Sequence, residues 1–349
     1  MQSPHAPVRP DWLAKVQEAP LDPDRMIVDA HHHLWDRPGQ RYLIEDYLAD
    51  IQSGHNIAAS VYVQCRSMLA LDRSEPFQPV GEVEYANGVA AQSASGALGT
   101  RRLCAGIIGG ADLMLGEGVQ PVLEEMRQRA GNRFCGIRNT TAWHPDPRLV
   151  SNPKPPPPGR LGEPAFRRGL AVVQRMELVL DIWAYHTQLN EVLALARDFP
   201  DLVIVIDHLG GPLGAGCYAD QRAQVFASWA ASLERLAQQP NLRLKLGGLG
   251  MKVAGFDLDA APLPPTSQAL SQAWRPYLLT AIDCFGVERC MFESNFPVDK
   301  GMVSYGVLWN AFKRTVEDFT ESEKDRLFSG TAKDVYGAGL MVDDLIPFQ

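Results

Sequence analysis

Eight short apolar runs, each about the length of a strand and rich in branched residues, recur along the chain at 26–30, 59–65, 103–108, 134–138, 178–182, 202–207, 242–246 and 290–293. Most are nearly continuous in apolar character, the mark of strands buried on both faces of a parallel sheet. Helical periodicity fills several of the intervals. Residues 120–130 have apolar side chains at 122, 123 and 126, and 189–199 at 189, 192, 193, 195, 196 and 199. The stretch 221–238 carries Val225, Phe226, Trp229, Leu233 and Leu236 at the same spacing. Alternating strands and helices build either an open doubly wound sheet or a closed barrel. Eight strands favour the barrel, and no run is followed by a G-x-G-x-x-G or Walker A loop. The expected fold is α/β: a single-domain (β/α)8 TIM barrel over 26–349, preceded by an N-terminal extension, 1–25.

A chain of 349 residues, 46% of them hydrophobic, has enough apolar mass for one such core. Two segments break the repeat. Residues 143–165 include Trp143-His144-Pro145-Asp146-Pro147 and the run Pro155–Pro158, and 255–267 is again proline-rich. Proline sustains neither helix nor central strand. These are therefore long loops, expected at the C-terminal face where barrels carry their sites. The net charge of -8 and the absence of a basic run argue against a nucleic-acid partner. Six cysteines without a C-x-x-C pair suit a reducing compartment. The first 20 residues lack the apolar core of a signal peptide, and no run approaches the ~20 residues of a membrane span. The expectation is a cytoplasmic protein acting on a small molecule, away from membranes, with a homo-oligomer left open.

The chemistry concentrates at the ends of the runs. The first ends in Asp29-Ala30-His31-His32-His33. Residues two apart on a strand face the same way, so His31 and His33 point together into the mouth and His32 turns away. Two imidazoles on one side ligate a metal or bind an anion. His208 ends the sixth run and completes a three-His cluster; its alternative is a loop cap. In Glu293-Ser294-Asn295 after the eighth run, Glu293 and Asn295 share a face. Glu293 is a general base if it reaches the mouth and otherwise a buried ion-pair partner, whereas the Asn295 amide neither accepts a proton nor balances a metal. Arg138 closes the fourth run, where a guanidinium forks onto a carboxylate or carbonyl oxygen or makes a structural ion pair. Lys245 lies among leucines and needs a partner or a role, with Arg243 the competing cation of the same face. Gln64, Trp143, His144, His186 and Gln188 are candidates for substrate contact by position, against packing or exposure.

The segments VDAHHHLWD (28–36), SVYVQC (60–65), FCGIRN (134–139), VIVIDHLGGP (203–212), LKLGGLGM (244–251) and MFESNFPVDK (291–300) together resemble the amidohydrolase superfamily, specifically the lactonase-like group of its amidohydrolase-2 branch. The resemblance spans about 28–337. It implies that His31 and His33 are the H-x-H pair and His208 the strand-six histidine. It further implies that Arg138 holds the substrate's carboxylate or carbonyl, and that Lys245 and Gln188 match a lysine and a glutamine of the group. One departure stands out: Asn295 occupies the place of an aspartate that ligates metal and activates water in the family. A divalent metal (Zn or Mn) on His31, His33 and His208 and a metal-free site are therefore both open.

Three functions follow as expectations. The first is hydrolysis of a lactone or related cyclic ester, the carbonyl polarised by Arg138 and the histidines and water activated by Glu293 or a histidine. The second is a metal-dependent decarboxylase of a small aromatic or unsaturated acid. The third is a barrel that binds a ligand without turning it over.

Overall fold

The computed structural model describes residues 4–152 and 154–337. All eight runs form strands of one parallel sheet: β1 (Ile27–His32), β2 (Ile57–Val63), β3 (Arg102–Gly109), β4 (Phe134–Thr140), β5 (Val179–Trp183), β6 (Ile204–Ile206), β7 (Leu242–Leu246) and β8 (Cys290–Phe292). Each strand is hydrogen-bonded to the next in chain order, because a parallel neighbour needs a crossover and each crossover here contains a helix. The three helical stretches read from periodicity appear as Gln120–Ala130, Leu189–Asp198 and Arg222–Leu236. A two-stranded hairpin, Trp35–Arg37 and Gln40–Tyr42, follows β1.

The ring closes between β8 and β1 just beyond the regular strands. Asn295 N–H donates to the His31 carbonyl at 2.9 Å, and His33 N–H to the Phe296 carbonyl at 2.8 Å. Asp29, wholly buried, clasps the same seam. It accepts from Ser294 N–H (2.8 Å), the Ser294 hydroxyl (2.6 Å), Tyr47 (3.0 Å) and Tyr305 (3.0 Å).

The main apolar core lies between sheet and helices. A smaller cluster that includes Val28, Val61, Val179, Val205 and Met291 fills the barrel itself. Tyr336, from the last helix among the described residues (Thr331–Tyr336), joins that inner cluster. The N-terminal segment is packed onto the barrel: Arg9 and Trp12 donate to the carbonyls of Asp259 and Ala261 in the proline-rich 255–267 loop. Among the described residues, no helix is long and apolar enough to cross a membrane, and all six cysteines are free thiols.

Replacing Asp29 by Ala strands two tyrosine hydroxyls and the Ser294 donors in the interior. The expected loss is about 3 kcal/mol of unfolding free energy, measured by urea denaturation, with Asp29→Asn losing less.

Candidate active site

The site is built by strand ends and by the bends that follow them. A register shift between Asp29 and His32 breaks the alternation of β1. Beyond it His31 and His33 lie side by side, their Nε2 atoms 3.2 Å apart. His32 turns outward, stacked on Tyr47 at 4.2 Å and bonded to the Ser60 hydroxyl at 3.0 Å. After β6 the chain takes two left-handed residues, His208 (φ 53) and Leu209 (φ 57). His208 is thereby brought against His31, ring centroids 4.7 Å apart, and edge-on to Trp183 at 4.8 Å. This approach explains the glycine pair after β7. A Cβ on Gly248, itself at φ +70, would meet His208 Cβ at 2.5 Å, and one on Gly247 would enter the Glu293 side chain.

Behind the histidines lies a buried ionic network. The Lys245 ammonium sits 2.6 Å from Asp181, 3.2 Å from Asp207 and 3.2 Å from His31 Nδ1. Arg138 donates to Asp207 at 3.1 Å, to His31 Nε2 at 3.2 Å and to the Gln64 carbonyl at 2.7 Å. Glu293 accepts from His208 Nδ1 at 2.7 Å and lies 3.0 Å from His31 Nδ1. Of the two strand-seven cations, Lys245 enters this network, whereas Arg243 bonds the carbonyls of Pro240 and Leu242.

The protonation pattern follows from burial set against these charges. Burial alone would raise the Glu293 carboxyl, but the charges of His208 and His31 and their hydrogen bonds outweigh it and hold it down at about 2. Asp207 is likewise held well below the ordinary range, burial being overcome by Lys245 and then His31. Asp181 keeps a carboxyl raised to about 6 by burial, partly offset by Lys245. Asp299, bonded to the Asn295 amide at 2.8 Å and to Gly250 N–H at 3.0 Å, is pushed up to about 7 by burial. Burial, with the Lys245 charge, lowers His31 to about 4, and burial with His31 and Arg138 carries His33 well below its ordinary value. Both imidazoles are therefore neutral near pH 7.

Neutrality fixes which nitrogens are bare. His33 Nδ1–H donates to the Val63 carbonyl at 2.7 Å, so its Nε2 carries a lone pair. His208 Nδ1–H donates to Glu293, and among the described residues its Nε2 makes no hydrogen bond to the protein. His31 is caught between opposites: its Nε2 faces Arg138 and the His33 lone pair, and its Nδ1 faces Lys245 and the carboxylates of Glu293 and Asp207.

Ligand atoms of His31, Asp207 and His208 lie within 4.8 Å of one another. Asp207 Oδ1, buried, has no aligned hydrogen-bond donor. The 3.2 Å between the His31 and His33 Nε2 atoms is near the roughly 3.3 Å that two nitrogens take on one tetrahedral Zn. This donor set fits a divalent metal ion. Asp207, which the sequence did not single out, stands with His31 and His208 in this group, and His33 adjoins it through His31.

The cavity above these groups is lined by His33, Gln64, Arg138, Trp183, His208 and Asn295, with His5 of the N-terminal segment on its wall. The other expected contacts lie elsewhere. Gln188 is a buried strut that accepts from Trp143 N–H and Tyr185 N–H and donates to the Thr141 carbonyl. Trp143 follows that strut and does not line the cavity. His144 and His186 pack against Tyr218, at 5.4 and 5.2 Å between ring centroids. Glu293 is fully buried behind His208 and does not face the cavity. Asp181, Asp207 and Asp299 were not singled out from sequence. The signal for the first two was an acidic residue inside an otherwise apolar strand or at its end.

A closed parallel barrel whose strand ends gather imidazoles, carboxylates and an arginine defines a TIM-barrel enzyme. The chain belongs to the amidohydrolase family, whose model matches residues 28–338. An uncharacterised Sinorhizobium fredii protein, y4mH, is 32% identical over 90% of this chain and 99% of its own length. An L-fucono-1,5-lactonase of Burkholderia multivorans is 27% identical over 88% of this chain and 95% of its own. The crystal structure of a Burkholderia multivorans amidohydrolase with bound Zn superposes with a TM-score of 0.67 at 24% identity, covering 89% of this chain and 99% of that one.

Two outcomes are expected. Unfolded histidines take up protons near pH 6.5, whereas His31 resists until about 4 and His32 until about 3. The unfolded state thus binds more protons at these histidines in this window, and each contributes a fall in stability of about 1.4 kcal/mol per pH unit as pH drops from 6.5 towards 4, partly offset by Asp181 and Asp299, whose raised carboxyls take up protons first in the folded state. A denaturant series across that window measures it. Gly248→Ala displaces His208 and costs about 2 kcal/mol or more, read as a lowered Tm.

Proposed function

We propose that the protein hydrolyses a lactone or a related cyclic ester. The observation that carries the reading is the His208–Glu293 dyad, which engages Nδ1 and leaves Nε2 without a protein partner in a ring that lines the same cavity as the Arg138 guanidinium. A buried carboxylate bonded to one nitrogen fixes the tautomer and stabilises the imidazolium formed when the other takes a proton. His208 Nε2 removes a proton from water, and the hydroxide adds to the carbonyl carbon. Of the five N–H donors of a guanidinium, those that Arg138 does not spend on His31, Asp207 and Gln64 are available to the oxyanion. The ring C–O bond then breaks, and the leaving alkoxide takes the proton back from His208, giving a hydroxy acid. Glu293 is in this reading the orienting partner of His208, because it does not reach the cavity. Asn295, held by Asp299, is a wall of the site and not a base.

The activity of the L-fucono-1,5-lactonase relative supports this substrate class. A divalent ion held by His31, His208 and Asp207 would supply Lewis-acid polarisation of the carbonyl and a lowered water pKa. The Zn in the Burkholderia multivorans amidohydrolase supports such a site.

The test is a panel of sugar and aliphatic lactones assayed as purified and with added Zn or Mn, with CO2 release from small aromatic acids followed in parallel. Lactone hydrolysis is expected. His208→Asn should reduce kcat by at least about a thousandfold, and Glu293→Gln by about a hundredfold. Glu293→Gln at the parental rate, or CO2 release without lactone hydrolysis, counts against the reading.

A further inference from the structure

The cavity carries a charge pattern that water activation and oxyanion binding do not use. Its walls include three arginines, Arg37, Arg66 and Arg138, together with His5, His33 and His208, and not one aspartate or glutamate. The whole chain carries a net charge of -8, so three guanidinium groups on one wall without an acid run against the protein's average. Arg138 is accounted for by Asp207 and by the carbonyl chemistry. Arg37 and Arg66 are not. Arg37 lies over the Trp35 ring at 4.3 Å and donates to the Cys65 carbonyl, and Arg66 donates to the Asn152 amide oxygen. Among the described residues neither pairs with a carboxylate. Burial lowers the Arg66 guanidinium from its ordinary value, and the like charges of Arg37 and Arg138 lower it further, against a smaller opposing pull from the buried Glu82. Arg66 also sits at φ 61, a backbone region that residues with a side chain rarely adopt and that recurs at ligand clamps.

The neighbouring cavity extends the pattern. It is about 370 Å³, shares Gln64, Arg66, Arg138, Asn139 and Thr140 with the first, and adds Lys154 and Arg160. Its two acids are already engaged. Glu82 accepts from Tyr62, Cys65 N–H and Ser67 N–H, and Asp112 accepts from Met114 N–H and lies 3.8 Å from Arg160.

From the unpaired arginines on a wall without acids we infer that the substrate carries an ionised carboxylate besides its reacting ester, and that Arg66, with Arg37, receives it. A guanidinium fork matches a carboxylate at two oxygens and fixes the ring's orientation, presenting the ester carbonyl to Arg138 and His208. The inference rests on the ester-hydrolysis reading for the reaction but not for the binding, and the two are tested separately.

The first arm compares D-glucono-1,4-lactone with D-glucaro-1,4-lactone, which differ in a terminal hydroxymethyl or carboxylate. The charged lactone is expected to be preferred at least about tenfold in kcat/KM. Arg66→Gln should lower its kcat/KM roughly ten- to hundredfold more than that of the neutral one, mainly through KM. The second arm needs no turnover: calorimetric titration of the protein, as purified, with D-gluconate, D-glucarate and 6-phosphogluconate. D-glucarate should bind tightest, with the preference abolished in Arg66→Gln and partly restored in Arg66→Lys. If neither lactone is hydrolysed while that Arg66-dependent preference holds, the ester reading fails and the carboxylate site stands. Equal binding of D-gluconate and D-glucarate, no binding of either, or equal weakening of both by Arg66→Gln overturns the proposal. Tighter binding of 6-phosphogluconate overturns the carboxylate as the group recognised.

Discussion

Lys245 carries its ammonium into the interior of the barrel, 2.6 Å from Asp181 and 3.2 Å from Asp207, with no exposed surface of its own. An ion moved from water into such a place costs several kcal/mol unless partners surround it. The compensation is spread around the ring: β5 supplies Asp181, the end of β6 Asp207, β4 Arg138 and the end of β1 His31. Each partner lies on a different strand, so the network forms only when the barrel closes. Removing one member leaves another charge uncompensated. The apolar layer beneath and the hydrogen-bonded seam between β8 and β1 hold the strand ends at the separations this network needs.

The same network sets the chemistry above it. With charge held by carboxylates and fixed cations, His31 and His33 stay neutral, and the orientation of each imidazole is set by what its Nδ1 meets. His33 is turned by a backbone carbonyl and His208 by a carboxylate. The difference matters because only the carboxylate stabilises a proton arriving on the far side of its ring. The cavity above them gathers three guanidinium groups and the His208 ring on a wall without a carboxylate, the arrangement on which the proposed addition of water to a carbonyl rests.

Much of this was legible along the chain, for a physical reason. Strands buried on both faces must be apolar throughout, so all eight runs stood out, and residues at their ends were the natural candidates. His31, His33, Arg138, His208 and Lys245 do come together in three dimensions. Residues chosen by nearness to a strand end lie apart from this group. Gln188 and Trp143 belong to a hydrogen-bonded strut, and His144 and His186 to a cluster around Tyr218, because the loops turn away after their first residues. His5, on a segment ahead of the barrel, lines the cavity with nothing in its local sequence to announce it.

The sequence by itself determined the barrel and the order of its strands, because burial on both faces and a parallel crossover leave few other solutions, and it placed the candidate site at the strand ends. It also determined that the first strand ends in paired imidazoles. What only the tertiary structure decided is how those imidazoles are used. Which nitrogen is bare, whether Glu293 faces the cavity or stands behind His208, and which arginines lack a carboxylate all depend on contacts between residues tens to hundreds of positions apart. Such contacts leave no periodicity in the chain, since they are set by the register shift of β1, the left-handed turn at His208 and the close approach of Gly248.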